Sequence, residues 1–532
     1  MSERDGTAGV PPEDQTGAGP LNRSKLQSLA VAGASWTMIH TLVSVPLAFL
    51  VNIAVTRLLG VVDYGRLAYL STIMDVVGGL ISLGVGVGLL QFGAKAHAAG
   101  RRDEVKSLLS KAQGFRLLID VPILTLVVLA ITQTSPLLLA IAIVFGVVAP
   151  AALSGAPTCL GIENKTAAAA QNAMIVNVLT QIAVLAAAFW IGTSDAVWAA
   201  RLALGGVAVA TALFWIAPDY RRSVLRPNWP RHFPTGFWGF AIPAGLAGVV
   251  GNLVVSRTEV LALEGMNQQA AAGLFALAFG LAGHIFAPAQ ALIGPLVPAV
   301  AGLREVEPDA VAPAFERTVR ASATVVALML AAAVPLFAVL VPLIYGEAFR
   351  PSAPVFVALA VGNAVLVLAG PVQAFVQARL SGWPLLWTNL IALGVDVLLM
   401  LALIPVLGIW GAVVANLTAA LIRLVLLLRG ELRGLELGWA VLLRNASPLA
   451  LGIASCIAAW LLGSSLSAQA GLNSVVAAVA AGLLGAALLV GLVRLTGSGL
   501  TRADADAIVR GLPAALARPG RLALRAVTRA KD

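Results

Sequence analysis

Apolar residues in this chain come in unbroken runs of roughly twenty, while charged, Pro-rich and Gly-rich residues gather in short breaks between them. A run of that length crosses hydrocarbon as a helix, whereas a membrane β-strand alternates apolar and polar positions over about ten residues. The runs predict spans near 30–56, 67–93, 117–133, 137–160, 168–191 and 196–217. A second group follows at 236–263, 271–301, 322–345, 354–378, 384–404 and 408–428, with a last pair at 447–463 and 472–493. The predicted fold is an all-α polytopic membrane protein of about fourteen transmembrane helices.

Composition agrees with lipid as the solvent. Of 532 residues 59% are hydrophobic and 11% charged, with a mean hydropathy of +0.92, more apolar surface than a water-soluble fold could hide. The net charge of +10 would suggest nucleic acid in a soluble chain. Its placement points instead to membrane topology, with no nucleic-acid partner. Basic residues alternate from loop to loop, as the positive-inside rule requires. Arg57, Arg66 and Arg350 fall outside and Arg201, Arg257 and Arg423 within spans; all other Lys and Arg fall on the cytoplasmic side. Both termini are therefore expected in the cytoplasm. The outer loops are too short to hold a catalytic domain, and no catalytic or metal-binding constellation is visible. Cys159 and Cys456 lie in apolar runs without ligand spacing and read as core residues.

An internal repeat organises the spans. Asn52-Ile-Ala-Val-Thr-Arg57 at the end of the first matches Asn252-Leu-Val-Val-Ser-Arg257 at the end of the seventh, and Gly65-Arg-Leu-Ala-Tyr-Leu70 resembles Gly273-Leu-Phe-Ala-Leu-Ala278. Six helices separate the copies, so they share orientation and imply two pseudo-symmetric six-helix lobes about an axis along the membrane normal. The expected organisation is a disordered tail over 1–25, a first lobe over 26–222, a second over 232–430, a helix pair over 445–495 and a basic cytoplasmic tail over 496–532. That tail either lies on the anionic inner leaflet or a partner, or is solvated.

A charge at the bilayer centre costs about 2.5–3.5 kcal/mol, so each intramembrane polar group needs a reason. Arg257 is the first candidate for gripping a phosphate, because a guanidinium keeps its proton and binds oxyanions in a fork. The bland alternative is pairing with Glu259 or snorkelling. Arg57 holds the matching place in the first lobe, with interface anchoring as its alternative. Asn52, Asn252, Arg201 and Arg423 complete the candidate binding set. Asp75, Asp396, Glu259, His40 and His284 are candidates for coupling to Na+ or protons, weighed against ordinary interhelical hydrogen bonds and packing. Pro46, Pro122, Pro243, Pro288, Pro295, Pro335 and Pro371 predict bent helices.

Three short motifs carry a family resemblance. Thr56-Arg-Leu-Leu-Gly-Val-Val-Asp-Tyr-Gly65, Gly161-Ile-Glu-Asn-Lys165 and Ile404-Pro-Val-Leu-Gly-Ile-Trp-Gly-Ala412 resemble the signatures of polysaccharide-repeat-unit flippases. These form the oligosaccharidyl-lipid branch of the multidrug/oligosaccharidyl-lipid/polysaccharide exporter superfamily. The resemblance covers about residues 25–495. It implies a V-shaped two-lobed bundle in the bacterial inner membrane that carries a polyprenyl-linked sugar outward by alternating access, for cell-surface polysaccharide synthesis. It further implies a cationic cavity for the diphosphate, with Arg257 and Arg57 at the matching positions, and contact with membrane lipids and envelope polysaccharide synthesis enzymes. Charge is sparse in the first-lobe spans, which leaves a monophosphate carrier open. The competing readings are a cation-coupled drug exporter of the same superfamily, a membrane glycosyltransferase, and a pseudo-transporter scaffold for cell-wall assembly.

Overall fold

The structure, a computed structural model, describes residues 23–132, 134–255, 258–291, 296, 300, 303–304, 307–377, 383–469, 473–511, 521 and 524–528. The expected N-terminal tail up to residue 22, Arg257, Pro295 and Arg379 lie outside these residues. The first half is built from α1 (Arg23–Ile81), α2 (Val85–Ala98), α3 (Arg102–Phe115), α4 (Val121–Ile131), α5 (Pro136–Ile143), α6 (Ala149–Leu153), α7 (Gly155–Ile162), α8 (Thr166–Trp190), α9 (Ser194–Val209) and α10 (Pro218–Leu225). The second half holds α11 (Phe237–Val255), α12 (Thr258–Gly265), α13 (Gln269–Ala291), α14 (Val311–Tyr345), α15 (Ser352–Gln377), α16 (Trp383–Leu407) and α17 (Ile409–Gly434). After them come α18 (Trp439–Gln469), α19 (Ser474–Thr496) and α20 (Arg502–Gly511).

Among the described residues twelve helices are long and apolar enough to cross a membrane. The expected fourteen crossings differ from this number for two local reasons. The first helix carries two crossings, because Gly60 sits within α1 at φ 76° and turns the chain between them. The seventh span, expected over 236–263, is described as α11 and α12, with residues 256 and 257 between them outside the described residues, so it is not among the twelve. Two single π-turns, Arg116–Asp120 and Val144–Val148, run directly into Pro122 and Pro150. An inserted residue and a missing backbone N–H bend those helices in the way the prolines predict.

The repeated glycines lie against each other. A methyl group added to Gly65 would sit 2.7 Å from the Gly273 nitrogen, and one on Gly273 would sit 1.9 Å from the Val61 oxygen. The two copies of the repeat therefore meet backbone to backbone where the lobes touch. At a second place Gly84 meets Ala241 and Gly245 with the same closeness. Beside it Phe92, Phe233, Phe237 and Phe240 cluster, with Phe233 and Phe237 stacked at 4.5 Å. The second lobe packs around α15, which is buried nearly all round; Phe356 and Phe375 from α15, with Phe275, Phe286 and Phe315, are fully enclosed.

The three motifs are structural in origin. Asp63 accepts from the Ser194 hydroxyl at 3.1 Å and the Tyr64 hydroxyl accepts from Asn52 Nδ2 at 3.1 Å, so the turn after Gly60 is tied to α9 and back to α1. Glu163 accepts from the Ala217 nitrogen at 3.3 Å and pairs with Lys165 at 3.2 Å, joining the loop after α7 to the start of α10. Gly408 takes φ 57° between α16 and α17, and a methyl on Gly411 would strike the Leu403 carbonyl at 2.5 Å. Only glycine fits either place.

The described part of the C-terminal tail is folded back rather than solvated. Leu500, Ala505, Val509, Leu524 and Val527 form one apolar cluster with Leu489 and Val493 of α19 and Ala327 and Ala331 of α14. Thr501 and Asp504 cap α20 reciprocally, at 3.1 and 3.4 Å. Arg320 of α14 donates to Asp504 at 2.8 Å and to Asn445 of α18 at 3.3 Å, and Asn445 donates to Glu316 at 3.2 Å. Burial pushes the Asp504 carboxyl upward, but the hydrogen bonds from Thr501 and Arg320 and the charge of Arg320 outweigh it and hold the group below the ordinary aspartate value. A depressed carboxylate stabilises the fold above its unfolded pKa, and that contribution fades as pH falls through the lower folded value. Asp504→Asn is accordingly expected to cost about 2 kcal/mol at neutral pH. Thermal melting in detergent should show the gap between wild type and variant narrowing below about pH 4, the ordinary aspartate range. A gap that stays constant on acidification would contradict the assignment.

Candidate functional site

The second lobe contains two buried acids and one buried guanidinium on neighbouring helices. Glu259 is fully buried near the start of α12, and Asp396 on α16 is 2% exposed; the two interact electrostatically. Asn416 of α17 donates to Glu259 Oε1 at 2.6 Å, and Thr258 approaches Asp396 Oδ2 at 3.5 Å. Glu259 Oε2, Asp396 Oδ1 and Asn416 Oδ1 are buried without a hydrogen-bond partner among the described residues. These three oxygens, from three neighbouring helices, are available as acceptors. A set made of oxygen alone suits a hard monovalent cation or a shared proton and not a nitrogen- or sulfur-bound metal. No group of three His, Cys, Asp or Glu suited to a metal occurs among the described residues.

Arg423 of α17 is 6% exposed. Its Nε donates to Asn389 Oδ1 of α16 at 3.0 Å and its Nη2 to Gln373 Oε1 of α15 at 2.7 Å. No carboxylate pairs with it among the described residues. Two neutral amides thus cradle Arg423, one of the candidate binding residues, and they orient the guanidinium without cancelling its charge. By contrast, Arg304 is neutralised directly by Glu431 at 2.6 Å.

Arg57 is exposed and reaches across the lobe boundary to the last turn of α14, where it donates to the carbonyls of Leu343 and Ile344, the latter at 2.5 Å. It occupies the negative end of a helix dipole, a capping position. Asn52 donates to Tyr64 and accepts from the Thr56 hydroxyl. The Asn252 side chain, like Arg257, lies outside the description. Asp75 and Arg201 are brought together with Ser71, Trp198 and Gly205 at a first-lobe cleft of about 280 Å³. His284 packs edge-on against Phe49 at 5.7 Å, and His40 is half-buried at the start of the chain's first crossing.

Several polar residues escaped the sequence reading. Asn416 and Gln373 stand in apolar runs and were legible by the same criterion as Asn389. Asp120 is a buried acid in the third span, and Arg116, counted as a loop residue, is drawn inward by Gln113 and the Ser154 hydroxyl. The π-turn that carries both residues has no clear sequence mark.

Comparison with known proteins places the chain. A family model described as polysaccharide biosynthesis protein matches residues 30–300. The fold is similar to that of the lipid II flippase MurJ in an inward closed conformation, with a TM-score of 0.64 at 13% identity, over 86% of this chain and 98% of that one. It is similar also to an inward-facing multidrug resistance MATE family transporter of the MOP superfamily, with a TM-score of 0.52 at 15% identity over 76% and 99%. A Vibrio cholerae MATE transporter, VcmN, matches with a TM-score of 0.50 at 17% identity over 77% and 99%. A search of curated proteins finds no match.

Asn416→Ala should leave all four carboxylate oxygens of the acid pair without an amide donor. The expected cost is about 1–3 kcal/mol, the penalty for an unsatisfied buried acceptor, read as a lowered melting midpoint in detergent. An unchanged midpoint would mean that the 2.6 Å contact holds nothing in place.

Proposed function

Because the chain belongs to the polysaccharide biosynthesis protein family, we propose that it is a flippase carrying a polyprenyl-(di)phosphate-linked sugar or oligosaccharide from the cytoplasmic to the outer leaflet. The observation that carries this reading is Arg423, a guanidinium retained in the membrane and cradled by amides instead of being cancelled by an acid. A buried charge of that kind is costly to keep, and an oxyanion is the partner it suits. The partly polar lobe interior receives the phosphate and sugar while the prenyl tail stays in lipid. The prolines and π-turns give the helices the bends that alternating access needs. In this reading the lobes divide as the sequence predicts, at 26–222 and 232–430 with the pair 445–495. The protein sits in a bacterial inner membrane with both termini cytoplasmic, beside envelope polysaccharide synthesis enzymes.

Glu259, Asp396, Asn416 and Thr258 would hold the coupling ion, Na+ or a proton. Neutralising the acid pair removes a repulsion between two carboxylates and so biases the second lobe toward one arrangement. The drug-exporter reading stays second because the family model that matches the chain is one of polysaccharide biosynthesis.

The test is movement of a fluorescent polyprenyl-diphosphate sugar in vesicles holding the purified protein. Wild type should move it, and Arg423→Gln should slow it about 10- to 100-fold, as loss of charged hydrogen bonds worth about 1.5–3 kcal/mol requires. Movement of an organic cation and of no lipid-linked sugar would favour the exporter. Asp396→Asn and Glu259→Gln should still equilibrate the lipid but no longer drive it against a gradient when Na+ or proton gradients are imposed. Driven accumulation equal to wild type would remove the acid pair from coupling.

A further inference from the structure

The first-lobe cleft is built unlike a phosphate site. It is lined by Ser71, Met74 and Asp75 of α1, Gly146 and Pro150 around the second π-turn, and Trp198, Arg201, Leu202, Gly205 and Gly206 of α9. Asp75 and Arg201 are both exposed within their spans, where a charge facing hydrocarbon is costly, so water or a polar ligand is the medium that suits the cleft. Each also engages a neighbour within the protein, which holds it in place. The floor is sealed where α9 meets the π-turn backbone to backbone, since a methyl on Gly206 would sit 1.9 Å from the Phe145 oxygen.

One acid and one guanidinium on the same wall largely cancel as seen by a distant charge. A bare diphosphate drawn to Arg201 is repelled by Asp75, and a cation meets the reverse. A neutral polyol meets no such conflict, because each hydroxyl both donates and accepts. Asp75 accepts, Arg201 donates in a fork, and Ser71 does either. Met74, Pro150, Trp198 and Leu202 supply an apolar lining for the C–H faces of a sugar ring. A volume of about 280 Å³ lies at the small end of ligand sites, which start at about 300 Å³, so the cleft admits one ring and not a chain.

We infer that this cleft is the sugar subsite, which reads one uncharged pyranose ring of the lipid-linked substrate while the phosphate is held elsewhere. The inference rests on the flippase reading and assigns Arg201 and Asp75 to hydroxyl recognition in place of phosphate binding and ion coupling.

Gly205 offers a clean test, because a methyl there would meet nothing within 4 Å. In Gly205→Leu the added side chain starts from open space at the cleft wall and takes up part of its volume. Vesicles with the full chain would be given a prenyl diphosphate bearing the neutral hexose or hexosamine that wild type moves fastest, and the same prenyl diphosphate without sugar. Gly205→Leu and the similarly sized Arg201→Gln should each slow the sugar-bearing lipid at least tenfold and leave the sugar-free lipid's rate unchanged. A second readout needs no transport. A water-soluble maleimide should label Gly205→Cys, and the sugar-bearing lipid, but not the sugar-free one, should protect it. Equal effects on the two lipids, or no loss and no protection while wild type still flips, would overturn the sugar subsite and leave the flippase standing. Failure of wild type to move any prenyl-linked sugar would overturn the flippase reading and this inference with it.

Discussion

A polar group in hydrocarbon has no water to fall back on, and the placement of nearly every deep polar side chain here follows from that constraint. Arg423 is shared between α15, α16 and α17; Glu259 and Asp396 are shared between α12, α16 and α17. Polar groups therefore stitch helices together along their seams and leave the lipid-facing stripes apolar. What separates a structural group from a working one is whether its charge is cancelled on the spot. Arg304 and Glu431 cancel each other at the edge of the same lobe. Arg423 and the acid pair have no such partner among the described residues; they are held by neutral amides and a hydroxyl instead.

The two lobes meet backbone to backbone at two places, Gly65 on Gly273 and Gly84 on Gly245, where helices come as close as main chains allow. Contacts of this kind gain close van der Waals packing and weak Cα–H···O attraction. Around them side chains interlock across the same boundary, Phe49 with His284 and Phe337, Tyr64 with Phe349, and Phe92 with Phe237 and Phe240. The Gly65–Gly273 contact joins equivalent positions of the internal repeat, so the glycine of each copy is required by the other.

The fold was legible because membrane helices announce themselves by length and hydropathy, and the loop charges fixed their alternation. The kink at Gly60 was less visible, since it is a backbone event inside apolar sequence. Glu259, Asp396 and Arg423 were readable as charges in the wrong solvent. Their partners Asn416, Gln373 and Thr258 were harder to find, because a neutral amide or hydroxyl costs little by composition and gains meaning only from what it faces. The sequence could not distinguish the Arg57 and Arg423 environments: one guanidinium caps a helix and the other is cradled. That difference depends on which helix ends lie within reach, a property of packing alone.

The α14 helix ties these features into one mechanical element. At about 1.5 Å per residue its 35 residues exceed the bilayer core, so its two ends work in different compartments. Near the inner end Arg320 binds Asp504 and Asn445, fastening the folded-back tail and the α18–α19 pair to it. At the outer end the carbonyls of Leu343 and Ile344 are taken by Arg57 of the other lobe. Pro335 and Pro342 both fall in the outer half, where each removes a backbone hydrogen bond, while the inner half is uninterrupted. Bending is thereby confined to the part of α14 that the first lobe holds. Arg57 and the tail thus hold α14 at opposite ends, one at its proline-weakened half and the other at its uninterrupted half.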